Sequence, residues 1–319
     1  MVTRRQFHGL ALGTLSLPLL AACSSQGGAR TSSTTRNVKL GLITGSLNPL
    51  PQQIEGDPID FIIRECLEVG ATNIELVSVM GLVPPAVVNG GRFGQVPDVI
   101  TPEYTASREV LRKWRIAEPL DRYHAVREKF SKAGLNLFSY VWTVADDDSE
   151  AEIDAGFRKL QALGVKVYTT NQSRVLVGPK LAPFAAKYGI SPSWHPHDKS
   201  DDPREVASAD SLEKLLAMSP HFKINLDIGH YTAGNQDAVA FLAKHHDRIS
   251  HLHIKDRKRE HGPNVQLGTG DTPITECLKM IRDHKWPIYA IIEREYRGPG
   301  TPVDETRWQL DYMRRVLEG

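Results

Sequence analysis

Cysteine is scarce, at three in 319 residues, which excludes a small disulfide-framed fold and leaves no set of thiolates for a metal cluster. Cys66 and Cys277 each fall inside an amphipathic helical pattern and read as buried inert thiols, with a disulfide between them left open in an oxidising compartment. An excess of either charge is also lacking. Lys and Arg number 39 against 38 Asp and Glu, for a net charge of +1, so the chain carries no electrostatic footprint for nucleic acid. The apolar stretch Leu10–Ala22 is too short to remain as a mature membrane helix. No glycine-rich GxGxxG turn follows the first predicted strand, which argues against a dinucleotide-binding sheet.

What is present at the start is an address. Thr3-Arg4-Arg5-Gln6-Phe7 is a twin-arginine signature, and Leu20-Ala21-Ala22-Cys23 after the apolar region has the form of a lipobox. Residues 1–22 are therefore expected to be a twin-arginine lipoprotein signal and residues 23–37, rich in Ser, Thr and Gly, a flexible tether. The membrane would be met only through a lipid on Cys23, with the folded domain in the periplasm or cell envelope. Removing the signal takes away two arginines and no acids. The twin-arginine route carries folded proteins, often loaded with a metal or cofactor, and so weakly favours a prosthetic group.

From Val38 to Gly319 the chain repeats one alternation. Short β-branched runs are expected as strands at Val38–Ile43, Asn73–Val77, Asn136–Val141, Lys166–Thr170, Gly189–Trp194, Lys223–Ile228, Ile249–Ile254 and Ile288–Glu293. Helical spacing separates them at Pro58–Val69, Leu120–Ala133, Glu150–Leu163, Val175–Tyr188, Ser211–Met218, Asp237–His246 and Thr275–His284, with a closing helix at Asp304–Leu317. Gly134 and Gly164 supply C-terminal stop signals. Eight strand–helix pairs over residues 38–319 predict an α/β fold of the (β/α)8 TIM barrel type. The connection Ser78–Pro119, with its glycines, prolines and the stretch Arg112-Lys113-Trp114-Arg115, is too long for a plain connector. We expect it to be a lid loop over the catalytic face.

Polar residues crowd where the strands end. Glu75 lies on the second strand, His195 and His197 follow the fifth, Asp227 and His230 the sixth, His251, His253, Lys255 and Asp256 the seventh, and Glu293 and Glu295 the eighth. Alternation puts residues two apart on the same face, so His195 with His197 and Glu293 with Glu295 can look into one barrel mouth. For His251 the reading stays open between the barrel interior and the helix side. Buried ionisable groups cost several kcal/mol unless compensated, and a cluster of them at one end of five strands points to a site. Imidazoles mixed with carboxylates suit a divalent cation such as Mn, Co, Zn or Fe, whereas Ca would take oxygen ligands alone. Trp114, Trp194 and Tyr231 are candidates to stack on a sugar ring.

At these residues the chain resembles the xylose isomerase-like barrels of the sugar phosphate isomerase/epimerase superfamily, which also includes endonuclease IV. The motifs are Asn-Ile-Glu75-Leu, Trp194-His195-Pro196-His197-Asp198, Leu226-Asp227-Ile-Gly-His230, His253-Ile254-Lys255-Asp256, Leu267-Gly268-Thr269-Gly270 and Ile292-Glu293. The resemblance implies one divalent metal held by His195, Asp227, His253 and Glu293, with His197 able to replace His195. His197, His230 and Lys255 are expected in substrate binding or proton transfer and Glu75 as a hydroxyl-binding or base residue; Lys255 either stabilises an enediolate oxygen or is simply paired with Asp256 or Asp227. The family has Glu where this chain has His195, and Pro196 replaces an Asn. Losing one of two symmetric bases shifts weight from proton shuttling on both faces of a carbon toward elimination or hydrolysis. The implied function is a divalent-metal-dependent isomerase or epimerase acting on a sugar or keto-sugar through an enediolate. A lyase or hydrolase on a 3-keto-glycoside, whose carbonyl a partner oxidoreductase could supply, is the first alternative. A non-catalytic sugar-binding lipoprotein is the second, and a nuclease is disfavoured by the neutral charge.

Overall fold

A computed structural model describes residues 34–51, 53–77, 96–97 and 99–319. Arg4, Arg5, Cys23 and the first half of the expected lid lie outside these residues. Eight parallel strands run through the described chain: β1 (Val38–Ile43), β2 (Asn73–Val77), β3 (Asn136–Val141), β4 (Val167–Thr170), β5 (Ser191–Trp194), β6 (Lys223–Asp227), β7 (Ile249–Ile254) and β8 (Tyr289–Ile292). Each pairs with its sequence neighbour, and β8 pairs with β1, so the sheet closes on itself as a (β/α)8 barrel. The strands are nearly continuous apolar runs because both faces are covered, as parallel sheets require.

The helices are α1 (Pro58–Val69), α2 (Pro102–Ala117), α3 (Asp121–Lys132), α4 (Glu150–Leu163), α5 (Gly178–Tyr188), α6 (Ala209–Met218), α7 (Ile228–Ala233), α8 (Ala238–His245), α9 (Ile274–His284) and α10 (Pro302–Glu318). Their ends follow from local chemistry. Asp57 accepts a hydrogen bond from the Ile59 N–H at 2.8 Å to start α1, with Pro58 pre-set at the first helical position. Gly134 (φ 69°) and Gly164 (φ 77°) take up the left-handed conformation that stops α3 and α4. Strand β5 starts at Ser191 rather than Gly189, because Gly189 (φ 60°) is itself the cap of α5.

Most of the apolar core lies between strands and helices, where Leu40, Leu42, Ile74, Leu76, Leu226 and Leu252 are fully buried. Each such side chain contributes about 1.5–3 kcal/mol by leaving water. Inside the barrel the buried apolar set is small: Ile43, Val141 and Ile291. At the strands' N-terminal end, Phe138 stacks on Tyr289 with ring centroids 4.4 Å apart, and Lys39 donates to the Tyr289 hydroxyl at 3.2 Å.

Two expectations need correction. The last tether residues are not free chain: Thr34–Thr35 pairs antiparallel with Val38 and Lys39, and Arg36 (φ 49°) and Asn37 (φ 73°) form the tight turn between them. The second half of the expected lid is helix α2, docked on α4. Arg108 grips Glu152 through two bonds of 2.7 and 2.8 Å, and Arg115 donates to Asp148 at 2.7 Å. Cys66 and Cys277 are free and buried, and burial pushes the Cys277 thiol up to about 12. Among the described residues no helix is long and apolar enough to cross a membrane.

Candidate active site at the barrel mouth

The barrel interior is layered from its N-terminal floor upward. Above the Phe138–Tyr289 stack sits a fully buried polar layer made of Glu75, Ser139, Thr169, Asn225 and His251. Glu75 accepts from the Ser139 hydroxyl at 2.8 Å and from Thr169, and its Oε2 lies 2.5 Å from His253 Nε2. His251 Nε2 is 3.3 Å from Glu75 Oε1. The open reading of His251 resolves to the interior, as alternation with His253 requires. Burial alone would raise the Glu75 carboxyl, but the imidazoles of His251 and His253 together hold it well below the usual range.

The next layer contains the candidate metal centre. One ligand atom from each of His195, Asp227, His253 and Glu293 lies within 4.8 Å of the others. These are the four positions the resemblance implied. His253 is clamped between carboxylates, with Nδ1 2.8 Å from Glu293 and Nε2 on Glu75. Burial would lower its pKa, yet Glu293 and Glu75 raise it to about 10. Asp227 Oδ1 accepts the His230 backbone N–H at 2.6 Å and so caps α7. Its Oδ2 lies 3.0 Å from Lys255 Nζ but makes no well-directed hydrogen bond. Burial pushes Asp227 up to about 8 and nearby Glu293 adds to the rise, although Lys255 pulls the other way.

The residues fit a divalent cation on two observations. His195 Nδ1 and Asp227 Oδ2 are buried polar atoms without a hydrogen-bond partner, and such atoms are costly unless something compensates them. The donor set also has two imidazoles and two carboxylates with no thiolate, which suits Mn, Fe, Co or Zn. His253 further shows the usual orientation of a metal-bound histidine, one nitrogen toward the centre and the other on a carboxylate. Glu75 supplies that carboxylate. It is fully buried below the centre, so the structure places it as an orienting partner of His253 rather than a group open to substrate.

Around this centre Lys255 donates to Glu293 and Glu295, both at 2.9 Å. The two pairings expected for Lys255 are thereby separated, since Asp256 is engaged elsewhere. Asp256 Oδ2 accepts the backbone N–H groups of Gly268 and Gly270 at 2.8 Å each, tying the Leu267–Gly270 turn to the end of β7. Gly229 permits this packing, because a Cβ there would collide with the Lys255 side chain. His197 and His230 stand beside His195, with ring centroids 5.0 and 5.8 Å from it. Burial pushes the His197 imidazole down to about 4 and His230 well below its ordinary value, so both are neutral at pH 7.

The three aromatic candidates are not at the site. Trp194 precedes His195 and therefore points the other way, packing on Phe222 at 5.5 Å. Tyr231 packs on Phe241, and Trp114 lies under Lys159 on the outer helices. Sequence reasoning missed Thr169 and Asn225, although Asn225 lies two residues before Asp227 and alternation could have found it. Arg257, which touches His230, gave no sequence signal.

The fold is a (β/α)8 barrel with buried His, Asp and Glu groups able to hold a metal. Residues 179–316, somewhat less than half of the chain, match the family model described as xylose isomerase-like TIM barrel, and that span includes all four candidate ligands. Among curated proteins the chain is similar to an inosose dehydratase of Clostridium perfringens, 24% identical over 135 residues that cover 36% of this chain and 44% of that protein. The match thus spans less than half of the relative's length. Among solved structures, a 3-keto-D-glucoside 4-epimerase from E. coli has the same fold, with a TM-score of 0.59 at 14% identity over 87% of this chain and 99% of that one. An IolI protein with a bound zinc atom gives a TM-score of 0.56 at 14% identity over 88% of this chain and 95% of that one.

Proposed function

We propose that this protein is a divalent-metal-dependent enzyme that removes the proton next to the carbonyl of a sugar or keto-sugar, and that isomerisation or epimerisation follows. The observation that carries this reading is the cluster of His195, Asp227 and His253, all buried, with half-buried Glu293, in which His195 Nδ1 and Asp227 Oδ2 lack a hydrogen bond. A divalent ion there would polarise a carbonyl and stabilise the charge that develops on its oxygen. Glu75 holds His253 in place, and Lys255 adds a fixed positive charge beside Glu293. His197, neutral and half-exposed at the mouth, is the side chain we assign to accept the proton.

The substrate class follows from the cavity beside Glu293, about 730 Å³ in volume. Its wall includes Ile43, Val77 and Val141 together with the amide side chains of Asn171 and Asn264. Apolar side chains beside amides match the carbon face and hydroxyl edge of a sugar. Of the nearby cations, Arg294 is spent on the carbonyls of Ser46, Asn48 and Tyr296 and Lys255 on three carboxylates, while Arg297 also lines the cavity. The volume leaves room for a second ring, as in a 3-keto-glycoside.

Elimination is the second reading. His195 stands where two-base enzymes carry a carboxylate, and the similarity to inosose dehydratases favours loss of a β-substituent after the same proton removal. Incubating metal-loaded protein in deuterated water with aldoses, ketoses and 3-keto-glycosides tests both. Deuterium uptake α to the carbonyl supports proton removal, and a departed β-substituent in the product selects elimination. Absence of uptake together with absence of a primary isotope effect at that proton overturns both readings.

We further propose that the mature protein is exported and lipid-anchored. Arg4-Arg5 and Leu20–Cys23 support this. Cys23→Ser should move the protein to soluble fractions, and unchanged membrane association would refute the anchor.

A further inference from the structure

His195, His197 and His230 bring one ring nitrogen each to within 4.8 Å of one another, beside the quartet and sharing His195 with it. Three clustered imidazoles look like a second cation site. The hydrogen bonding of His230 says otherwise. Its Nδ1 lies 2.6 Å from Nη1 of Arg257. A guanidinium carries donors alone and stays charged at any working pH, so Nδ1 must offer a lone pair.

We propose that Arg257 is a positioning residue that locks His230 in its Nε2–H tautomer, making it a fixed hydrogen-bond donor to a substrate oxygen and barring it from cation coordination. With the ring's one proton on Nε2, neither nitrogen has a free lone pair for a metal. The competing arrangement, Nδ1–H donating to a carboxylate, is built out: Asp198 Oδ1 is 4.0 Å from Nδ1, and Asp198 Oδ2 is taken by Arg257 Nη2 at 3.0 Å. The guanidinium is itself anchored, donating from Nε at 3.1 Å and Nη2 at 2.8 Å to the Gly262 carbonyl. Arg257 is buried, so water does not compete for these bonds.

His253 and His230 thus receive opposite instructions. His253 has an acceptor, Glu75, behind it, which frees its other nitrogen to face a cation. His230 has a donor behind it, which makes its other nitrogen an N–H. A neutral imidazole that donates is suited to an oxygen gaining negative charge. The nature of that oxygen rests on the proposed function, whereas the tautomer does not.

The tautomer is read directly from the ¹⁵N shifts of the ring nitrogens in the full chain, with His230 assigned through His230→Gln. In the wild-type protein, metal-free and zinc-loaded, His230 should show an unprotonated Nδ1 and a protonated Nε2. Arg257→Met should shift it toward Nδ1–H or a mixture, and Asp198→Asn should leave it as it is. An Nδ1–H in the wild type, displacement of the Nε2 proton by excess zinc, or a tautomer that follows Asp198 and not Arg257 overturns the assignment. The wild-type spectrum decides even if Arg257→Met fails to fold. Because no substrate is used, this measurement and the deuterium experiment can fail independently.

Discussion

The clasp of α2 on α4 and the centre at the barrel mouth both bury charge, yet they complete it differently. In the clasp every guanidinium nitrogen of Arg108 has an acceptor on Asp147, Asp148 or Glu152, and Asp148 and Glu152 also accept the Ala145 and Ser149 N–H groups at 3.0 Å. At the mouth a single ammonium, Lys255, serves Asp227, Glu293 and Glu295, while His195 Nδ1 has no hydrogen bond and Asp227 Oδ2 has only its ion pair with Lys255. A network whose members satisfy one another holds structure together. One with spare acceptors and too little positive charge is waiting for a ligand.

The largest effect expected from breaking this contrast is at Asp227. Asp227→Asn keeps a cap for α7, since Asn accepts as well as Asp, but removes a carboxylate from the centre. Metal affinity should fall by more than about 100-fold, beyond what orienting partners cost. Without metal, the variant should be at least as stable as the wild type because carboxylate crowding is relieved. Metal content and urea denaturation measure the two quantities, and a variant that retains metal at full occupancy removes the centre from consideration.

Arg108→Met should do the reverse. Leaving Glu152 and Asp148 buried with fewer partners should cost about 3 kcal/mol of stability, with metal content unchanged. Unfolding midpoints and metal analysis on the same samples check this, and equal stability to wild type would show the clasp to be ornamental. Glu75→Gln sits between the two cases, being buried and satisfied but in contact with a candidate ligand. It should lower metal affinity by about 10–100-fold and move stability less than Arg108→Met does.

The smallest effect is on pH dependence. Burial would raise the Glu152 carboxyl, but Arg108 outweighs it and holds the pKa below 4.5. A depressed carboxyl stabilises the fold above its unfolded value, and that stability is lost as pH falls through the folded one. Burial leaves the Asp148 carboxyl raised overall, but Arg115 and Arg108 pull it down, so losing Arg108 lifts it further. The stability gap between wild type and Arg108→Met should therefore narrow by about 1 kcal/mol between roughly pH 5 and pH 3. A gap that widens on acidification would contradict the pairing.

The strands were legible because parallel barrel strands are short, apolar and bounded by polar turns, and seven of the eight differ from expectation by at most one residue at either end. Helix α2 was not, since its inward residue is Arg115 and it has no apolar stripe to read. Asp227, His253 and Glu293 stood out as ionisable groups on buried runs. Alternation gives the face of a residue and not its depth, which is why Glu75 could be placed inside the barrel but not below the centre. Trp194 shows the same rule from the other side: its neighbour His195 faces inward, so it cannot.

The division between a large outer apolar layer and a sparse interior has a consequence for how such a chain can change over time. Ile43, Val141 and Ile291 are the small buried apolar cluster separate from that outer layer, so the interior contributes little to the hydrophobic stabilisation of the barrel. Substitutions among its polar residues leave the outer apolar layer untouched, and their cost to folding is confined to the interior's own hydrogen bonds and charges. A lineage can exchange a glutamate for His195, or an asparagine for Pro196, and explore new reactions while the outer layer keeps the scaffold intact.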